Sequence, residues 1–373
     1  MIVGIDATTL VGQISGVGYY TARLIESLVN GADGGLIERF VILSNRDAKV
    51  PASSRIEICR QGRFPIRAVW MQFMLPFVLR RVRPDVVHYT NFLAPLAGGV
   101  PYVVTVHDLS LTLFPHYHTL KKRLLTSTLV PACARQAELV IAPSESTRCD
   151  VVRLLGVPSE RVRVIPHAAG PEFQPTPDRS AAAALLGNAP YLLFVGTIEP
   201  RKNLLRVLRA FARVAAELPE HRFLIVGQRG WMYEDVLSEA ARPEIRGRVV
   251  IAGYVAEDQL PALYSSADAF VYASLYEGFG LPVIEAMACG TPVITSKTSS
   301  LGELAGDAAF VVDPESESEL AAAMRAVCTD AQLRVDLSCR GRARAAAFSW
   351  ERTARQTAAA YREAFERSRT QAT

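Results

Sequence analysis

The densest chemistry in this sequence lies in Glu277-Gly-Phe-Gly-Leu-Pro-Val-Ile-Glu285, a glycine loop running into an apolar stretch with a carboxylate at each end. Gly278 and Gly280 permit a tight loop whose amides, with those of Phe279 and Leu281, face an anion. Pro282 suits the first turn of a helix that starts near Leu281. The positive end of that helix then lies beside whatever Glu277 touches, with Glu285 about one turn inside. Ile284, Ala286 and Met287 surround Glu285, and a carboxylate among apolar neighbours needs a partner. The structural alternative is that Glu277 only caps the loop and Glu285 is a solvated helix residue.

A second cluster is Gly196-Thr-Ile-Glu-Pro-Arg-Lys-Asn203, directly after an apolar strand. Arg201 and Lys202 sit at a strand-to-helix junction with Asn203 as the expected helix cap, so both cations can reach a pyrophosphate at the sheet edge. Arg offers a planar fork and Lys a compact charge, and together they offset the charge developing on a departing nucleoside diphosphate. Near the N-terminus, Ser15-Gly16-Val17-Gly18 allows close approach of backbone to a ligand, although a short GxG serves turn geometry equally well. Thr105-Val-His107-Asp108 ends another apolar strand: His107 is placed to donate to a sugar hydroxyl or to be a strand-end structural histidine, and Asp108 to orient it or an acceptor.

The segment E-G-F-G-L-P-V-I-E resembles the E-x7-E motif of retaining glycosyltransferases of family 4, which adopt the two-domain GT-B fold. The resemblance extends from the glycine loop near residue 16 to the terminal helix. It implies that Arg201 and Lys202 bind the donor's diphosphate together with Gly16, Val17, Gly18 and the 278–281 amides. It further implies that Glu285 holds the ribose hydroxyls, Glu277 and His107 contact the donor sugar, and the loop Gly253-Tyr254-Val255 meets the base mainly through backbone. The departing phosphate itself then deprotonates the acceptor on the same face. The family often has a third glycine where this chain has Ser15.

These residues need strand ends to carry them. Ile2–Asp6, Phe40–Ser44, Val86–His88, Tyr102–His107, Leu139–Ala142 and Val162–Ile165 read as buried strands separated by helices. The pattern restarts with Tyr191–Gly196, Phe223–Gly227, Val249–Gly253, Ala269–Tyr272, Pro292–Thr295 and Ala309–Val312. The expected architecture is α/β, with two Rossmann-like doubly wound domains facing across a cleft where the strand-end loops converge. The expected boundaries are an acceptor-side domain at 1–170, a proline-rich linker at 171–189 and a nucleotide-sugar-binding domain at 190–349. A terminal helix at 350–373 is expected to pack back toward the first domain.

Composition fits this. The 373 residues are 50% hydrophobic and 21% charged, as in ordinary globular proteins, which excludes disordered and collagen-like classes. The longest apolar run, Ala68–Leu79, is too short to span a bilayer. The opening MIVGIDATTL reads as a strand, not a signal peptide, so a cytoplasmic location is expected. Six dispersed cysteines read as buried free thiols. There is no Asp-x-Asp and no ligand-spaced cluster, so no metal and no other cofactor are expected. No P-loop or complete dinucleotide fingerprint occurs, which removes kinase and dehydrogenase readings.

Net charge is +4, split as +6 over residues 1–175 and −2 over 176–373. That division points to an anionic acceptor or membrane surface for the first half, and no motif supports nucleic acid. His116, His118 and Asp108 are the candidate contacts to a glycan or lipid-linked acceptor. Arg60, Arg63, Arg67, Arg80, Arg81 and Arg83 bracket Ala68–Leu79, which suits either a peripheral helix on anionic headgroups at the inner face of the plasma membrane or a core helix with basic ends. The expected activity is retaining transfer of a hexose to a hydroxyl in surface polysaccharide synthesis, with mannose from GDP-mannose as first choice. UDP-glucose or another nucleotide hexose, a sugar-nucleotide epimerase or phosphorylase, and a silent binding protein are the alternatives.

Overall fold

The structure is a computed structural model that describes residues 1–12, 16–59, 64, 66–117 and 120–371, with only the backbone at 117, 120–126 and 371. The chain divides into two compact units, one formed by Met1–His167 with Ser349–Thr373 and the other by Ala168–Phe348.

The first unit holds a seven-stranded sheet of β1 (Ile2–Asp6), β2 (Arg39–Leu43), β3 (Ile56–Cys59), β4 (Val86–Tyr89), β5 (Tyr102–Thr105), β6 (Leu139–Ala142) and β7 (Val162–Val164). Their order is β3-β2-β1-β4-β5-β6-β7 and every pairing is parallel. β4, β5 and β6 are buried along their whole length, as near-continuous Val/Ile/Leu runs covered on both faces should be. β3 had no counterpart among the expected strands. It lies at the sheet edge with Glu57 and Ile58 exposed, so it carries none of the burial signature that marks its neighbours.

The second unit holds β8 (Tyr191–Val195), β9 (Arg222–Val226), β10 (Val249–Gly253), β11 (Ala269–Tyr272), β12 (Val293–Ser296) and β13 (Phe310–Val312). They are again all parallel, in the order β10-β9-β8-β11-β12-β13. All six match strands expected from sequence, because each is an apolar run closed by glycine, a small residue or a turn.

The stretch expected as a linker and the terminal helix each belong to one unit. Residues 171–189 are packed into the second unit: the Phe173 ring lies 6.0 Å from that of Tyr264, and the Thr176 amide donates to Ser265 Oγ at 3.2 Å. The terminal helix Trp350–Gln371 is built into the first unit. There Tyr361 OH and His88 Nδ1 share a hydrogen bond of 2.7 Å, Thr353 Oγ1 donates to Pro166 O, and Glu363 pairs with Arg163. The cysteines also divide: Cys133, Cys289 and Cys328 are buried, whereas Cys149 and Cys339 are exposed.

Candidate functional site

In the second unit the strand order reverses between β8 and β11, with β9 and β10 on one side and β12 and β13 on the other. Open parallel sheets bind ligands outside the carboxyl ends of the strands at such a reversal. The loops leaving β8 and β11 carry the cationic pair and Glu277.

Arg201 and Lys202 lie on the short turn Pro200–Lys202, and the Leu275 amide donates to Arg201 O at 2.9 Å, tying the two loops together. Arg201 donates to Glu277 Oε2 at 2.8 Å, to Tyr276 O at 2.7 Å and to Glu199 Oε1 at 2.7 Å. Lys202 Nζ donates to Glu277 Oε1 at 2.6 Å and to Tyr272 OH at 2.5 Å, and lies 5.0 Å from the Tyr272 ring centroid. Glu199, Lys202 and Glu277 are all buried. Four charges of balanced sign are therefore held on two loops, each hydrogen-bonded to another member of the group.

Burial by itself would raise the Glu277 carboxyl, but Arg201 and Lys202 outweigh it and hold the group down to about 2. Burial pulls the Lys202 ammonium below the ordinary lysine range; Glu277 opposes this and Arg201 adds to it.

Asn203 occupies the position before the helix Leu204–Val214 without capping it through its side chain, contrary to the sequence expectation. Its φ of 59° turns the chain sharply, and its Nδ2 donates to Ala273 O at 3.0 Å and Pro314 O at 2.7 Å. The residue thus clamps the loops after β11 and β13 onto the loop that carries Arg201.

The helix predicted near Leu281 runs Leu281–Ala288, with Pro282 in its first turn and Gly280 at φ 107° before it. A Cβ on Gly280 would lie 2.6 Å from Leu301 Cδ2. The loop is pinned from the start of the helix Ser299–Ala305: the Glu277 amide donates to Ser299 Oγ at 2.9 Å, and Ser300 Oγ donates to Glu277 O at 2.8 Å and Phe279 O at 3.0 Å. Phe279 packs on Phe348, with ring centroids 5.9 Å apart.

Glu285 is buried within this helix and accepts from Tyr264 OH at 3.1 Å. Burial raises its carboxyl to about 7, against the pull of the tyrosine hydroxyl. It is thus not the solvated helix residue of the structural alternative.

Gly253 ends β10 with φ 71°, and its carbonyl accepts from the Gly227 amide at 2.7 Å. Tyr254 follows with 62% of its surface exposed, and Val255 is half-buried.

In the first unit, Gly16, Val17 and Gly18 open the helix Gly16–Ser27, and a Cβ on Gly16 would meet nothing within 4 Å. Ser15 and His118 lie outside the described residues, while His116 is exposed on the turn Pro115–Tyr117. β5 ends at Thr105, two residues before His107. Its Nε2 is 2.8 Å from Thr90 O, which can only accept, so that nitrogen carries the proton. Burial keeps the ring neutral, and Nδ1, 3.3 Å from His167 Nε2, then accepts. Asp108 does not orient His107 here; its Oδ1 accepts from the amide and hydroxyl of Ser110 at 2.9 and 2.7 Å.

Sequence reasoning gave no role to Glu199, Tyr272, Tyr264, Ser299 or Ser300. A tyrosine closing an apolar strand, as in Ala269–Tyr272, was the available signal for one of them.

Residues 14–173 match the family described as Glycosyltransferase Family 4, and residues 177–344 match Glycosyl transferases group 1. The O-antigen chain mannosyltransferase B of Escherichia coli is 31% identical over 374 residues, covering 94% of this chain and 96% of that protein. Sucrose-phosphate synthase from Thermosynechococcus elongatus superposes with a TM-score of 0.79 at 22% identity, over 98% of this chain and 99% of that one. Anabaena HepE in complex with UDP and glucose gives 0.75 at 20% identity, over 96% and 98%. The chain belongs to the group 1/family 4 glycosyltransferases and has the GT-B fold.

Proposed function

We propose that this enzyme transfers mannose from GDP-mannose to a hydroxyl of a glycan or lipid-linked acceptor in surface polysaccharide synthesis, with retention at the anomeric carbon. The observation that carries the reading is the ion-paired Arg201–Lys202–Glu277 group at the reversal point of the second sheet. The choice of mannose is supported by the 31% identity to a protein named for mannosyl transfer to an O-antigen chain.

In the proposed reaction the bond between C1 of the sugar and the β-phosphate oxygen breaks, and a bond from C1 to the acceptor oxygen forms on the same face. The acceptor's proton passes to the departing phosphate. Arg201 and Lys202 stabilise the charge that gathers on the diphosphate, which is the largest demand such a transition state makes. The amides of Gly278, Phe279, Gly280 and Leu281 and the Gly16–Gly18 helix start are assigned to the same phosphates. Glu277 holds the two cations and is assigned to the donor sugar's hydroxyls, and Glu285 to the ribose. Gly253, Tyr254 and Val255 are assigned to the base, His107 to the donor sugar, and Asp108 and His116 to the acceptor side.

Metal independence is part of the proposal. Two fixed cations meet the charge that a divalent ion would otherwise carry, and transfer is expected to survive EDTA.

A thermal-shift panel of GDP-mannose, UDP-glucose and ADP-glucose tests the donor, since a ligand at 100 times its dissociation constant stabilises by about 2.7 kcal/mol. The largest shift is expected with GDP-mannose. A larger shift with UDP-glucose would move the assignment toward the UDP-bound structural relative. Proton NMR of the first-formed product tests retention, and the inverted anomer would overturn it.

A further inference from the structure

The helical stretch 67–82 of the first unit has two apolar faces. One packs inward through Trp70, Met71, Leu75, Val78 and Leu79, all buried in the core. The other presents Ile66, Val69, Phe73 and Phe77, spaced three and four residues apart, with Phe73 67% and Phe77 66% exposed. Those two phenylalanines are the most exposed large hydrophobic side chains among the described residues. This double-sided pattern explains why the segment lacks a clean amphipathic period in sequence. Nothing in the packing of the first unit calls for phenylalanine at either outward position.

The charge around the stripe has one sign. From residue 58 to residue 84 the sequence contains six arginines and no acidic residue. The Arg80 guanidinium lies 5.8 Å from the Phe77 ring centroid, and Arg80, Arg81 and Arg83 are all exposed at the end of the helix. Arg83 turns the chain there at φ 51°, its amide donating to Leu79 O at 2.8 Å. Arginine at a helix C-terminus also suits the helix dipole, yet that accounts for the cations and not for the phenylalanines beside them. A second copy of the chain fits poorly as the occupant. Symmetric pairing would set Arg80 and Arg81 against themselves, with no carboxylate in the segment to neutralise them.

We propose that this face docks on an anionic bilayer, Phe73 and Phe77 entering the interfacial layer while Arg80, Arg81 and Arg83 meet lipid phosphates. The proposal rests on the first unit alone and stands apart from the donor assignment.

Cosedimentation of the full chain with vesicles tests it, using phosphatidylcholine alone and phosphatidylcholine with phosphatidylglycerol in equal parts. Binding is expected to favour the anionic vesicles and to weaken as salt rises. The double variant Phe73→Ser/Phe77→Ser is expected to lower anionic-vesicle partitioning by about tenfold or more. Arg80→Gln/Arg81→Gln should bring it toward the phosphatidylcholine level. All four side chains are exposed, so thermal unfolding of each variant should match the wild type. Equal binding to both vesicle types, or unchanged binding by the phenylalanine variant, overturns the proposal. So does a wild-type dimer that the phenylalanine changes dissolve while vesicles capture nothing, which would make the face a contact between copies.

Discussion

Lys202 Nζ lies 2.6 Å from Glu277 Oε1, and the other oxygen of the same carboxylate takes Arg201 at 2.8 Å. One carboxylate therefore sets the position of both cations proposed to receive the donor's diphosphate. Removing it and removing a cation are different experiments with different expected results.

Glu277→Gln keeps the shape and leaves the buried Lys202 and the half-buried Arg201 with less compensation. It is expected to cost about 3–5 kcal/mol in urea unfolding, the usual penalty for breaking a buried pair. Lys202→Met leaves Glu277 with Arg201 and should cost less stability than Glu277→Gln, while lowering transfer by at least about a hundredfold if one charge-stabilising donor behaves here as it does elsewhere. A Glu277→Gln protein as stable as wild type would show that the carboxylate is not the anchor.

Glu285 reverses the usual trade. Its carboxyl is raised to about 7 from an ordinary value of 4.5, so the folded protein binds this proton more tightly than the unfolded chain. The stability it contributes is complete below about pH 4.5 and is lost as pH rises to about 7. Glu285→Gln should therefore stabilise the fold more at pH 8 than at pH 5, by about 3 kcal/mol at most. The same variant should weaken donor binding, because a neutral amide replaces the acceptor assigned to the ribose. Equal stabilisation at both pH values would mean that the buried carboxyl does not titrate in this range.

The histidines of the first unit act in the opposite sense. Burial holds His88 down to about 3 and lowers His107 and His167, so each is neutral when folded and must charge on unfolding in acid. Their stability is complete above about pH 6.5 and is lost as pH falls below it. Glu277 adds a loss between about pH 4.5 and 2. Three histidines outweigh the single opposing carboxyl of Glu285, so the expected outcome is a melting temperature that drops from pH 7 to pH 4. In histidine NMR spectra, the His88 ring protons should not shift across that range before unfolding.

Gly227 tests how closely the strand ends approach. With φ 142°, a Cβ there would lie 2.0 Å from Gly196 O, a backbone atom that cannot swing aside. Gly227→Ala must displace the loop after β8, the one carrying Arg201 and Lys202. It is expected to destabilise by at least about 1–3 kcal/mol and to depress transfer further than that loss of folded protein explains. Normal activity in this variant would show that the loop tolerates displacement.

Much of this arrangement is legible in sequence because local rules specify it. Pro282 and Gly280 mark the start of the helix Leu281–Ala288, and apolar runs closed by small residues mark all six strands of the second unit. The partnership of Glu277 with Lys202 is not legible, since it joins residues 75 positions apart and depends on β8 and β11 becoming neighbours. Asn203 misled for a related reason. Its identity matches a helix cap, but tertiary contacts to Ala273 and Pro314 claim the side chain. β3 escaped because an exposed edge strand lacks the burial pattern that reveals the others.

The most direct test of the central claim compares calorimetric titration of GDP and of guanosine into the wild type and Lys202→Met. The account predicts that the wild type binds GDP far more tightly than guanosine, and that the variant loses at least tenfold on GDP with little change on guanosine. Equal affinity of the wild type for the two, or a variant that binds GDP as well as the wild type, would contradict it.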